Sequence, residues 1–295
     1  MSSRRPDANV AQEFRFVKYE ACGNDFVLRD ELEGPTSRDE ERSRLAKILC
    51  DRHHQVGADG ILFVEGATGA DASMRHFQPD GSESTMCGNG VRCVGAYVSE
   101  KLRRPSVDIL TADGVKRVVR VGADYRVEMG RVRTTRADLA RFLADPGEPT
   151  DSMMDFAIQI PGRALRGSLV NTGEPHFVLR TEDLATEDVG SVGAAVNEDR
   201  KRFPRGVCVD FVQVSGPHSI RIRTYESGAY YETMACGTGA TASATVALAL
   251  GWVRPGAVDV ATKGGPIRIE VGPDGEAYMT GPARRVYEGR LAIEP

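Results

Sequence analysis

Two short stretches decide how the chain is read: MCGNGVR, Met86 to Arg92, and ACGTGAT, Ala235 to Thr241, the latter within MACGTGATA, Met234 to Ala242. Each reads Cys, Gly, Asn or Thr, Gly, and then enters an apolar segment, VRCVGAYVSEKL (Val91 to Leu102) or ATASATVALALGW (Ala240 to Trp252). The two cysteines, Cys87 and Cys236, stand 149 residues apart (236 less 87). A lone GxG says little. Two copies, each opening the most apolar helix of its half, predict an internal duplication. A helix that is apolar on nearly all sides has to be enclosed by protein, so each half should hold one buried helix wrapped in strands.

The rest of the chain supplies those strands. Short alternating or β-branched runs recur at Phe14–Tyr19, Phe26–Arg29, Ile61–Val64, Ser73–Phe77, Val107–Thr111, Lys116–Val121 and Arg126–Met129, and again at Gly167–Asn171, His176–Leu179, Cys208–Val214, Ser219–Thr224, Val258–Thr262 and Ile267–Val271. Gly, Asp and Pro punctuate them, which predicts mostly antiparallel or mixed short strands. Helices are expected at Arg38–Cys50, after Gly90, at Arg136–Ala144, at Val192–Arg202 and after Gly239. The charged stretch Arg131–Asp155, with Pro146, Gly147 and Pro149, reads as the link between halves. The fold class is α/β (α+β).

Composition narrows the partners. At 295 residues the chain suits two domains. Its 41% hydrophobic and 27% charged residues are ordinary for a globular protein, and a net charge of -4 gives no reason to expect nucleic acid or an anionic membrane. No run approaches the ~18 apolar residues of a membrane span, and MSSRRPDANVAQE lacks a signal-peptide core. A cytoplasmic protein acting on a small molecule is expected. Six cysteines with no CxxC pair argue for reduced thiols and against a zinc or dithiol redox site. Cys22, Cys50 and Cys93 read as small packing residues.

Position gives the two repeated cysteines their chemistry. A helix start presents backbone N–H groups without intrahelical partners and a partial positive charge, so it holds anions, and glycines let a ligand come close. A substrate carboxylate fits such a turn. The same field favours thiolate over thiol, so two low-pKa sulfurs are expected. If the halves face each other, Cys87 and Cys236 flank one carbon and can take a proton from one face while giving one to the other. That is inversion at the α-carbon of an amino acid. A phosphate loop is disfavoured, because neither turn continues into Gly-Lys-Ser/Thr.

At these residues the chain resembles the diaminopimelate epimerase family, whose members invert an amino-acid α-carbon with two cysteines and without pyridoxal phosphate. The likeness runs through KYEACGNDFVLRD (Lys18–Asp30), CDRHHQVGADGILFV (Cys50–Val64), DGSESTMCGNGVRC (Asp80–Cys93), VNTGEPHFV (Val170–Val178), RTYESGAYYETMACGTGA (Arg223–Ala240) and MTGPARRVYEG (Met279–Gly289). It implies two pseudo-symmetric domains with the active site in the cleft between them. Residues 14–130 with 282–295 would form one and 131–281 the other, after a tail at 1–13. No cofactor and no metal are implied, and a homodimer is an open assembly. Cys87 and Cys236 would be the acid/base pair. Asn24, Gly88, Asn89, Gly90, Gly237, Thr238 and Gly239 would hold the α-amino-acid end, and Glu226 and His176 match positions that line the site.

The departures from that pattern cluster. Gln78 stands where the family has Asn, Glu174 replaces Asn in GNPH, Cys208 replaces Asn in FPxGTNVNF, and Ser227 replaces Arg in YERG. By resemblance, these four grip the far carboxylate and ammonium of diaminopimelate. Losing an Arg and gaining a Glu works against a distal carboxylate, by ~2 kcal/mol per change after discounting for solvent, or about 30-fold in affinity. The expectation is therefore a racemase for an amino acid with a cationic or hydrogen-bond-donating side chain. A genuine diaminopimelate epimerase and an idle amino-acid binding protein are the alternatives.

Overall fold

The computed structural model describes residues 12–144 and 153–293. The tail expected at 1–13 thus falls almost wholly outside the described residues, as do Pro146, Gly147 and Pro149 of the expected link.

The first half runs β1 (Gln12–Ala21), β2 (Asn24–Glu31), α1 (Asp39–Leu49), β3 (Gly60–Glu65), β4 (Ala72–Phe77), β5 (Glu83–Ser84), α2 (Gly88–Leu102), β6 (Ser106–Thr111), β7 (Gly114–Val121) and β8 (Asp124–Arg131). Then come α3 (Arg136–Leu139), which continues as a 3-10 turn through Phe142, β9 (Phe156–Ile160) and β10 (Arg163–Asn171). The remaining elements are β11 (Pro175–Arg180), α4 (Val189–Asn197), β12 (Cys208–Gly216), β13 (Ser219–Glu226), β14 (Tyr231–Thr233), α5 (Gly237–Ala249), β15 (Val258–Ala261), β16 (Pro266–Val271), β17 (Glu276–Gly281) and β18 (Arg284–Ile293).

The duplication is visible in the pairing. β2 and β3 are parallel around α1, and β11 and β12 are parallel around α4. β4 and β6 are parallel around α2, and β13 and β15 around α5. All the other named strand pairs are antiparallel, including β8 with β17, which joins the halves, and β1 with β18. The expected α/β fold of two repeated halves is what the chain adopts.

The two repeated helices are enclosed as their composition demands. In α5 every residue from Gly237 to Ala247 is buried, and in α2 every residue from Gly88 to Ala96. Their Val and Ala side chains share one core with strands from both halves, including Leu62, Val127, Val178, Ile222 and Ile269. α1 shows the other pattern: it buries Arg42, Leu45, Ala46 and Leu49, and carries Asp39, Glu40 and Glu41 at its positive end.

Every strand read from the sequence lies within an observed one except Val258–Thr262, which runs one residue past β15. α4 starts three residues before the expected Val192, because Asp188 caps it by accepting the Ser191 N–H, and it ends at Asn197. The helix expected over Arg136–Ala144 is a single α turn tightening to a 3-10 turn.

Candidate active site

Each repeated cysteine is the capping residue of its helix. Cys87 has extended backbone (φ −142°), and its Sγ accepts the Gly90 N–H at 3.3 Å. Cys236 does the same at φ −116°, its Sγ accepting the Gly239 N–H at 3.4 Å. The two helix starts abut. A Cβ added to Gly88 would lie 3.5 Å from the Gly237 Cα, and one added to Gly237 would lie 3.4 Å from the Gly88 Cα. A Cβ on either glycine would press on the end of the Met279 side chain, 2.9 Å away, and touch the facing turn's backbone at van der Waals distance. Asn89 ties the turns together: its Nδ2 donates to the Ala235 carbonyl (2.9 Å) and to Asn24 Oδ1 (3.1 Å), and its Oδ1 accepts from the buried Arg92 (2.7 Å).

A cleft of about 230 Å³ is lined by Asn24, Gln78, Cys87, Glu174, Glu226 and Ser227 among the residues expected at the site. Gly88, Asn89, Gly90, His176, Cys208, Cys236, Gly237, Thr238 and Gly239 are buried and are not among the lining residues. Cys208 is 1% exposed and accepts the Ser227 N–H on its sulfur at 3.3 Å, so it supports the pocket wall without lining it.

Cys236 heads a chain of side-chain hydrogen bonds. Its S–H faces Thr238 Oγ1 at 3.2 Å; Thr238 Oγ1 meets His176 Nε2 at 3.0 Å; His176 Nδ1 meets Asp210 Oδ2 at 2.8 Å; and Asp210 Oδ1 accepts from Thr224 Oγ1 at 2.7 Å. All of these residues are buried. Asp210 fixes the imidazole with Nδ1 as donor, leaving Nε2 to accept from Thr238. Burial alone would lower the His176 pKa, but the Asp210 carboxylate beside it overcomes this and the net shift is upward. Cys87 has no comparable partner among the described residues: its sulfur meets only the Gly90 N–H.

The expected low thiol pKa values are not found. Burial pushes Cys87 up to about 12, with Glu226 and Glu174 adding to it, and burial pushes Cys236 well above the ordinary thiol value, with Glu226 and Asp210 adding to it. The helix-start N–H bonds act in the opposite direction but are outweighed. The sequence revealed the helix dipoles. It did not show that the sulfurs would be desolvated among carboxylates.

The cleft is acidic. Burial, with the neighbouring Glu174 carboxylate second, raises Glu226 to about 7, and burial raises Glu174 as well. Among the described residues no Lys or Arg lines the cleft, while Asp59, Asp80, Glu174, Glu226 and Glu232 do. Asp59 is neutralised by Arg52, and Glu232 by Arg223 and Lys263. Asp210 does not line the cleft; it is committed to His176 and Thr224. Glu174, His176 and Cys208 place ligand-type atoms within 4.8 Å of one another, but both His176 nitrogens are already engaged, so a cation there would have to break the Thr238 bond.

Two features escaped the sequence reading. One is His76, which lines the cleft. The other is the segment Gly228–Met234, which covers one side of the cleft and exposes Tyr230, Tyr231 and Met234 to solvent. Position 76 reads simply as one residue of a strand, and nothing local marks its side chain as facing a cleft.

Comparison with known proteins identifies the family. A family model described as diaminopimelate epimerase matches residues 16–135 and 168–286. Curated relatives named diaminopimelate epimerase include those of Methanocella arvoryzae (38% identical, covering 95% of this chain and 97% of that one) and Methanothrix thermoacetophila (39%, 96% and 97%). Among solved structures, a probable proline racemase from Agrobacterium radiobacter K84 superposes with a TM-score of 0.67 at 16% identity, covering 96% of this chain and 94% of that one. A phenazine biosynthesis protein of the PhzF family from Bacillus anthracis superposes at 0.66 and 16%, covering 96% and 100%. At those identities the structures speak for the fold alone. Among the described residues no helix is long and apolar enough to cross a membrane. By sequence the chain belongs to the diaminopimelate epimerase family, and it is an isomerase of the epimerase and racemase class.

Proposed function

We propose that the protein inverts the α-carbon of an amino acid without a cofactor, with Cys87 and Cys236 as the acid/base pair. The observation that carries this reading is the abutment of two helix starts, each capped by a cysteine. The first-turn N–H groups of both helices would take the substrate carboxylate, which lowers the cost of forming a carbanion beside it. One sulfur removes the α-proton, and the other delivers a proton to the opposite face.

A thiol raised by burial cannot serve as a base until it loses its proton, and among the described residues only Cys236 has a side-chain route for it. The S–H passes a proton to Thr238 Oγ1, whose own proton moves to His176 Nε2, leaving a thiolate and an imidazolium held by Asp210. Cys87, which stays protonated, is then the acid in this direction, and the roles exchange in the reverse one. Thr238→Val breaks the route while keeping the side-chain volume. We expect kcat to fall about 10- to 100-fold with KM little changed, whereas equal rates for variant and parent would remove His176 from the proton path. Asp210→Asn should lower the pKa of His176 and displace the acidic limb of the kcat profile, measured from pH 5 to 9.

On the substrate, the names of the relatives favour diaminopimelate over any other single amino acid. The pocket carries a second reading, an amino acid with a cationic side chain and no distal carboxylate, because acids and no Lys or Arg line its described wall. Incubation in heavy water with LL-diaminopimelate, L-lysine, L-ornithine and L-histidine separates the two. We expect α-deuterium in at least one, and its absence from all four would overturn the reaction. A kcat/KM for lysine or ornithine about 30-fold above that for diaminopimelate would establish the second reading, and the reverse order the first.

Glu226 supplies a pH test. Its carboxyl titrates near 7 and gains its charge as pH rises, so KM for a cationic substrate should fall between about pH 6 and 8. Glu226→Gln should flatten that change.

A further inference from the structure

Arg92 stands on α2, five residues after Cys87, and is 0% exposed. Its guanidinium donates to four acceptors: the Pro282 carbonyl from Nε (3.1 Å), Met279 Sδ from Nη1 (3.0 Å), and Asn89 Oδ1 and Cys22 Sγ from Nη2 (2.7 and 3.7 Å). Burial holds the Cys22 thiol in its protonated form, so none of the four is an anion. Arg42, the other deeply buried arginine among the described residues, is paired with the carboxylates of Glu31 and Glu65. Arg92 has no such partner among the described residues. A buried cation without a counter-ion is costly, so its place in the fold calls for a reason.

That place lies behind both cysteine turns. Arginine only donates, so the Asn89 atom that meets Nη2 is the amide oxygen, and the Asn89 NH₂ has to face Asn24 Oδ1 and the Ala235 carbonyl. Ala235 immediately precedes Cys236. The orientation that Arg92 imposes on one amide thus joins the first turn to the second. On its other side, the Met279 sulfur that meets Nη1 would lie 2.9 Å from a Cβ added at Gly237, so Met279 stands between the guanidinium and the second helix start. The duplication supplies no second cation: the residue five after Cys236 is Thr241, whose hydroxyl donates to the Gly237 carbonyl. The Cys87 thiol is held protonated by burial, Glu226 and Glu174, and Arg92 acts on it in the opposite sense.

We infer that Arg92 is a positioning residue of the candidate site: it locks the Asn89 amide that joins the two turns, and it sets behind them a positive charge answered by the anions formed there, a bound α-carboxylate and the Cys87 thiolate. Arg92 touches neither anion. Its charge adds to the fields of the two helix starts, whose N–H groups make the contacts. The carboxylate part rests on the proposed amino-acid cleft, and the thiolate part needs no substrate.

The full chain is therefore tested first at Cys87. Alkylation by iodoacetamide near pH 8, followed residue by residue in a mass spectrometer, reads the thiolate fraction. We expect Arg92→Met, which removes the charge, to slow alkylation of Cys87 about tenfold, the effect of one pKa unit. Arg92→Lys, which restores the charge, should recover part of the loss. Calorimetric titration with meso-diaminopimelate and L-lysine should follow the same order, with affinity lowered about tenfold in the Met variant. If Arg92→Met fails to fold, the Arg92 Nε–H ¹⁵N signal of the parent decides: it should shift with meso-diaminopimelate or L-lysine and stay in place with L-lysinamide, which lacks the carboxylate. Equal alkylation rates in parent and Met variant, a Lys variant no better than the Met variant, or an unmoved signal with all three ligands would overturn the inference. Slowed alkylation in a protein that exchanges no α-deuterium would uphold it at Cys87 and refute the proposed reaction.

Discussion

Cys87→Ala and Cys236→Ala should each lower epimerisation by about 10⁴-fold, the upper range for loss of a positioned acid or base. Either variant alone leaves one face of the α-carbon without a proton carrier, so the double variant should be little worse than the singles. The folds should survive. Each sulfur makes one capping bond to its helix, from Gly90 or Gly239, and losing a cap costs about 1 kcal/mol. Melting curves beside initial rates separate the two effects. A variant that melts like the parent and keeps full rate would refute the two-thiol mechanism.

The second large effect is structural and arises at Gly264. A Cβ there would fall 1.6 Å from the Cys22 carbonyl oxygen, a backbone atom that no side-chain rotation can move aside. Cys22 and Gly23 form the two-residue connection from β1 to β2, with φ of 54° and 75°, the pattern of a hairpin turn with both central residues left-handed. The Gly264 N–H also donates to the Met234 carbonyl, two residues before Cys236. Gly264→Ala should therefore destabilise the protein by about 3 kcal/mol or more, the upper range for overpacking. It should also displace Asn24 and the Cys236 turn together. We expect a lower unfolding midpoint in denaturant and, at temperatures where the variant is folded, a lost kcat. A melting point and rate equal to the parent's would show that this contact is not needed.

The repeat was legible because it uses two periodicities that local sequence carries openly. β-branched alternation marks the strands, and unbroken apolarity marks α2 and α5. Five strands went unread, β5, β9, β14, β17 and β18, and three of these are short or charged. β5 is two residues and β14 three, too few for alternation to register. β18, RRVYEGRLAI, exposes most of its side chains, so its polarity reads as loop, and only the family resemblance anticipated a closing strand. In the candidate site the sequence identified Cys87, Glu174 and Glu226 as neighbours of one cleft. It gave the wrong sign for the thiols, since desolvation depends on the fold around a residue. It also missed His76, whose place in the cleft wall depends on the absence of a side chain at Gly60.

The pairing of β1 with β18 has a consequence for how the chain is made. Phe14 lies opposite Leu291, 277 residues away (291 less 14), and β1 is flanked by β2 on its other side. On the ribosome β1 emerges first, and its outer edge stays open until almost the whole chain has followed. Contacts of such separation form slowly, and an open edge in the meantime is a template for wrong partners. The half carrying Cys87 thus completes its sheet only after the half carrying Cys236 has been synthesised, so the cleft is finished in a single late step.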